Sequence, residues 1–387
     1  MAGFNPRVFQ WARESAGLGL EEAARALHIV PASLAAIEQG TKEPSRTNLS
    51  NMARAYHRSL LALYLATPPK KGDRGEDFRT VAADRTVQAE ADIDALVRDL
   101  RARQSLVRSV LEAEDDVQRL SFIASAKMQQ GAAHVCRSIE MALGITRQDL
   151  RAQANADQAF SLLRRKVEQL GIFVLLIGNL GSHHSAIPVE AFRGFAISDD
   201  VAPFVVINDG DAKAAWSFTL LHELAHLWLG ITGVSAGIPD RQVESFCNDV
   251  AGSFLLPEAD LASINIAGLD LDAQALVIDA HANRWRLSRS MVAYGLFKAG
   301  RISRDEWRAL DNELRARWAV ERRREKERRS ESAGGPNYYV VRRHRLGEAM
   351  LEFAHRAMDA GTLSPAKAAK VLGVKPRSVY PLLSLAA

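Results

Sequence analysis

His222 and His226 stand four residues apart, with Glu223 beside the first, in the run Phe218-Thr-Leu-Leu-His-Glu-Leu-Ala-His-Leu-Trp-Leu-Gly230. On an α-helix this spacing sets two side chains about 40° apart around the axis and about 6 Å apart along it. Two imidazoles so placed can bind one Zn2+ at about 2.0–2.1 Å each. Glu223 would then act as catalytic general base on a water and pass the proton to a leaving amine. A catalytic zinc needs a third protein ligand and one open position, and the next helix offers Glu244. Asn248 lies one turn on and shares its face, opposite Phe246, Val250 and Phe254, so it suits a group that holds a ligand in place. Expected cofactor content is one Zn2+ per chain, on His222, His226 and Glu244. Cys247 neighbours Glu244 in sequence but points elsewhere on a helix. His183-His184 could form a ligand pair, although a glycine-flanked loop reads more simply as exposed. His281 reads as core or surface.

The elements that must position these groups follow from the apolar spacing. Gln158–Leu170 reads as a helix. The runs 172–177, 194–198 and 204–208 read as short strands. Helices at 212–229, 241–255, 274–285 and 288–299 follow. The fold class is therefore mainly α with a small mixed β-sheet, α+β. Phe204–Asn208 is expected to be an edge strand whose backbone could receive an extended peptide.

Upstream, residues 1–66 read as short helices with tight turns and helix-turn-helix spacing. Pro31 suits the first position of a third helix and Gly40 its C-terminal stop. Leu34 and Ile37 would face the core. Ala32, Ser33 and Ala36 would face a DNA major groove, with Lys42 and Arg46 near phosphates. That reading face lacks Arg, Asn and Gln, and Glu21 and Glu22 would oppose a phosphate backbone. A protein-binding role for this domain stands as the alternative. Residues 67–85, with Thr67-Pro-Pro-Lys-Lys-Gly, read as a linker. Residues 86–155 read as a helical arm, helical from Thr86 to about Gln129, and 156–300 as the zinc-bearing domain. The segment 301–335 is basic and ends in a Gly334-Gly-Pro336 linker. Its stretch 314–329 holds eight Arg or Lys against three Glu. Residues 336–387 read as helix, turn at Gly373 and helix, with Lys367, Lys370, Lys375 and Arg377 around the turn. Together with the basic segment before it, this end is the more electrostatically able to hold nucleic acid, and a solvated capping domain stands as the alternative.

Composition bounds the class. The chain has 387 residues, 47% apolar and 25% charged, with net charge +4. No apolar run reaches the ~18–20 residues that span a bilayer, and the first residues lack a signal-like apolar stretch. Two distant cysteines argue against a disulfide framework. A cytoplasmic setting with no membrane partner is expected, and oligomerisation stays open.

Taken together, these residues resemble the ImmA/IrrE family of bacterial metallopeptidases, fused to an XRE-type (phage-repressor-like) helix-turn-helix. The resemblance lies in the 218–230 run, in Glu244-Ser-Phe-Cys-Asn-Asp-Val-Ala251 leading to Leu255-Leu-Pro257, and in Glu190-Ala-Phe-Arg-Gly-Phe195. Cys247 and Val250 depart mildly from the usual pattern, and Asp77-Phe-Arg79 is similar to the hinge of such fusions. The resemblance implies a gluzincin-like zinc peptidase core flanked by helix-turn-helix domains. Its ligands would be His222, His226 and Glu244, and its acid/base Glu223. It further implies a zinc endopeptidase that cleaves a DNA-bound, XRE-type repressor or antitoxin-like partner, releasing stress or mobile-element genes. A different class remains open: a DNA-binding regulator whose metal site is structural or sensory. A third is an adaptor that binds a partner without cutting it.

Overall fold

The computed structural model describes residues 4–69, 86–113, 117–181, 185–231, 241–331 and 337–384. His183, His184, most of the 67–85 linker with Asp77 and Arg79, and the Gly334–Pro336 linker lie outside them. The chain divides into two compact units. The first holds the described residues among 4–69, 86–102 and 178–192, and the second the remainder.

In the first unit, α1 (Pro6–Glu14), α2 (Leu20–Leu27), α3 (Pro31–Glu38) and α4 (Arg46–Ala55) close around Phe9, Leu27, Leu34, Ile37, Leu49 and Met52. Side-chain caps start the helices where expected: Asn5 accepts from the Arg7 amide and Ser45 from the Asn48 amide. Gly40, at φ +79, ends α3 in the left-handed region. Arg13 clasps Glu38 through two hydrogen bonds of 2.8 and 3.0 Å, tying α1 to α3. A bidentate pair of this kind fixes orientation as well as adding energy. The Arg58 guanidinium lies 4.3 Å over Trp11, and burial lowers its pKa to about 10.

Helix α5 (Val87–Leu111) ends far short of Gln129, where the apolar spacing had suggested. From Leu120 the chain spends its backbone on tertiary partners instead. The amide of Leu120 donates to Asp200, that of Ala124 to Leu227 and that of Ala126 to Trp228. A backbone so committed cannot also close i to i−4 bonds.

The second unit holds α6 (Ala132–Leu143), α7 (Arg147–Arg151), α8 (Ala156–Gln169), β1 (Phe173–Leu176), β2 (Gly194–Ile197), β3 (Phe204–Ile207), α9 (Lys213–Leu229) and α10 (Arg241–Leu255). Next come α11 (Glu258–Leu261), α12 (Leu271–Trp285), α13 (Arg289–Lys298) and α14 (Arg304–Glu331). The last four are α15 (Tyr338–Leu346), α16 (Glu348–Asp359), α17 (Pro365–Leu372) and α18 (Val379–Ser384). The fold is thus mainly helical with one small mixed sheet, as expected. Among the described residues no helix is long and apolar enough to cross a membrane.

The sheet order is β1-β3-β2, with β3 parallel to β1 and antiparallel to β2. This overturns the edge-strand reading of Phe204–Asn208. Strand β3 is central, so its amides and carbonyls are bonded on both sides and none is left for a peptide. All three strands are buried throughout. Such strands read as unbroken apolar runs, which carry no signal of which one lies outermost.

Helix α9 packs on β2, β3, α8, α6 and α10, and is buried around almost its whole circumference. Within the stretch read as an arm, α6 contributes Val135, Cys136 and Ile139 to the same core. Gly230 ends α9 at φ +66, where a Cβ would meet that of Ala124 at 2.4 Å. Only glycine satisfies both the dihedral and the approach.

Candidate metal centre

The wall-to-wall burial of α9 carries His222, Glu223 and His226 into the interior, at 0, 1 and 1% exposure. The imidazole Nε2 atoms of His222 and His226 are 3.0 Å apart. Glu244, from α10, brings Oε2 to 3.4 Å from the first and Oε1 to 3.4 Å from the second. Its side chain is 20% exposed, so the cluster opens to solvent on the Glu244 side.

Those separations test the fit to zinc. Four bonds of about 2.0–2.1 Å in tetrahedral array set neighbouring ligand atoms about 3.3–3.4 Å apart. The 3.0 Å nitrogen–nitrogen separation and the 3.4 Å nitrogen–oxygen separations are of that length, with one Glu244 oxygen facing each imidazole. Two nitrogens and one carboxylate oxygen are also the donor set of catalytic zinc sites that leave a fourth position open. Among the described residues, these three are the His/Cys/Asp/Glu group whose ligand atoms gather within 4.8 Å.

Asn248 sits where its helical spacing from Glu244 suggested. Its Oδ1 lies 3.1 Å from Nδ1 of His222. With this carbonyl oxygen as acceptor, Nδ1 is the donor and Nε2 is the atom left to serve as a ligand. The same contact fixes the ring plane. Cys247, one residue from Asn248, is buried in the apolar core and turned away from the site. His281 packs beside Trp285, with ring centroids 4.8 Å apart and planes tilted by 51°.

Gly194 is the site residue that spacing alone did not single out. It opens β2, and a Cβ there would lie 2.5 Å from Cγ2 of Thr219, 3.0 Å from the carbonyl oxygen of Val206 and 3.1 Å from Oε1 of Glu223. The missing side chain therefore lets the sheet approach α9 at the level of Glu223. The available signal was a glycine at the head of an otherwise apolar strand, which marks a close approach. With β3 internal, β2 is the sheet edge beside the Glu223 carboxylate.

At the N-terminal helix-turn-helix, Ala32 is exposed and Ser33 and Ala36 are half-buried on the outer side of α3, opposite the buried Leu34 and Ile37. Lys42 and Arg46 are exposed. Lys42 Nζ donates to Ser33 Oγ at 2.6 Å, so these two groups share one patch.

Residues 168–297 match the IrrE N-terminal-like domain, a peptidase family, and residues 7–62 match a helix-turn-helix domain. No curated protein and no solved structure matches the chain.

Proposed function

From the premise that this chain joins an XRE-type helix-turn-helix domain to an IrrE-like, metallopeptidase-like domain, we propose that it is a zinc-dependent endopeptidase acting on a DNA-binding regulator. The observation that carries this reading is the triangle of His222 Nε2, His226 Nε2 and a Glu244 carboxylate, with Glu223 buried on the same helix.

In this reading His222, His226 and Glu244 hold one Zn2+. When bound, zinc supplies Lewis acidity that polarises a peptide carbonyl and acidifies water toward neutral pH. Glu223 takes a proton from the water as its oxygen joins the carbonyl carbon. It then delivers that proton to the amine as the C–N bond breaks. Asn248 keeps His222 in the tautomer whose Nε2 lone pair is available.

The substrate is proposed to be an XRE-type repressor or antitoxin-like protein. A peptidase tethered to a DNA-binding module shares an operator, and hence a high effective concentration, with such a partner. The test compares wild type with Glu223→Gln against purified XRE-type repressors bound to operator DNA. Both should hold about one zinc. Wild type should cut, and the variant should be slower by about 10²–10⁴-fold. Equal derepression by both would remove hydrolysis from the account and favour a regulator whose metal site is structural or sensory.

A further inference from the structure

Two segments of this chain share one backbone. In the N-terminal domain α2 ends at His28, with φ 57 and ψ 40, and Ile29 and Val30 lead to Pro31 at the start of α3. In the C-terminal domain α17 ends at Gly373, with φ 60 and ψ 38, and Val374 and Lys375 lead to Pro376. The residues before the two prolines have φ −74, ψ 145 and φ −73, ψ 147. The amide two residues before each proline returns to the same place: Ile29 to Ala24 at 3.0 Å, Val374 to Ala369 at 2.9 Å. Each pair of positions differs by 345, the offset between Leu20 and Pro365. The buried set follows the offset too. Ala23, Ala24 and Leu27 correspond to Ala368, Ala369 and Leu372, and Leu34 and Ile37 to Val379 and Leu382. Residues 365–384 are therefore a second helix-turn-helix, built on the plan of the first, which lies within the matched helix-turn-helix domain.

The outward positions differ in a way that bears on ligand choice. Segment 20–37 carries Glu21, Glu22 and Arg25, a balance of −1. Segment 365–382 carries Lys367, Lys370, Lys375 and Arg377 and no acidic residue, a balance of +4. Glu22 is replaced by Lys367, Val30 by Lys375 and Ala32 by Arg377. All four cations are exposed. After the turn, Val379, Leu382 and Leu383 point inward, while Arg377, Tyr380, Pro381 and Ser384 form an exposed face, with Tyr380 62% accessible. In helix-turn-helix proteins the second helix enters the major groove with its first residues at base edges. The first copy offers alanines there. The second offers an arginine, the side chain that pairs with the O6 and N7 edge of guanine.

We propose that residues 365–384 are a DNA-binding site, which seats α18 and the 3-10 turn Pro376–Ser378 that leads into it in the major groove, with Arg377 at base edges and Lys367, Lys370 and Lys375 on phosphates. The cationic, acid-free face selects a polyanion over a protein partner. The shared backbone selects duplex DNA over a disordered polyanion.

The test uses the full chain and a labelled random-sequence duplex, with binding read by fluorescence anisotropy across a salt series. The quadruple variant Lys367→Ala/Lys370→Ala/Lys375→Ala/Arg377→Ala should lower the slope of log K against log salt by about 3, at about 0.9 per phosphate contact. Lys42→Ala/Arg46→Ala should keep most of the wild-type slope. All changed side chains are exposed, so the melting temperature should match wild type. Selection from randomised duplexes separates base reading from bulk charge. Arg377→Ala should relax preference at one base-pair position, whereas Lys370→Ala should weaken all sequences alike. A wild-type slope in the quadruple variant, or no binding by wild type at low salt, would overturn the proposal.

Discussion

Replacing Gly194 by Ala adds one methyl group at the closest approach of β2 to α9. The new Cβ would stand 2.5 Å from Cγ2 of Thr219. Carbon atoms rest at about 3.5–4.0 Å, so strand and helix must part by about 1 Å. Overpacking of this size costs about 1–3 kcal/mol. The same Cβ lies 3.1 Å from Oε1 of Glu223, so the carboxylate shifts with it. A displacement of about 1 Å at a reacting group costs on the order of 10²-fold in rate. Gly194→Ala should thus lower the urea midpoint and, more steeply, the cleavage rate. Thr219→Ser removes Cγ2 while keeping the hydroxyl bond to the Ala215 carbonyl at 3.2 Å. Alone it should cost about 1 kcal/mol for a lost buried methyl. The double variant should recover to within about 1 kcal/mol of Thr219→Ser, since the worst contact is gone. Urea denaturation and repressor cleavage on the four proteins of this cycle measure the coupling. The reasoning fails if Gly194→Ala matches wild type in both assays, or if the double variant is as impaired as the single.

Three further outcomes follow from the same geometry. Glu244→Ala should lose stoichiometric zinc with an unchanged far-ultraviolet spectrum, because two imidazoles alone leave the coordination face incomplete; retained zinc would refute the ligand assignment. Asn248→Ala should keep the fold but weaken zinc binding about 10–100-fold by competition with a chelator, since the orienting acceptor for His222 is gone. Burial holds His57 and His344 below the ordinary imidazole value of 6.5, with Arg164 adding to the effect at His344. The unfolded chain therefore takes up these protons first as pH falls. Their contribution is intact above about pH 6.5 and declines below it. His57→Asn, which also tolerates the left-handed φ of 50 there, should flatten the fall in urea midpoint between about pH 7 and pH 5.

The sequence by itself determined the parts of this protein that depend on local periodicity. His222 and His226 share a helical face because the spacing is four. Glu244 and Asn248 share another for the same reason, and the structure turns both toward the first pair. Helix ends at Gly40, Gly230 and Gly373 were legible because left-handed caps favour glycine. The two helix-turn-helix segments were legible too, but their equivalence became visible only when the turn dihedrals and buried positions were compared one by one. Tertiary structure alone decided the strand order. Strands β1, β2 and β3 are all short, apolar and buried, so nothing local marks β3 as central or β2 as the edge. It also decided that the chain after Leu111 stops being helical, since the backbone bonds of Leu120, Ala124 and Ala126 go to residues distant in sequence. Gly194 belongs to the same class. Its role is the absence of a side chain at a place where Thr219, Val206 and Glu223 converge, and convergence is a property of packing that spacing along one element cannot encode.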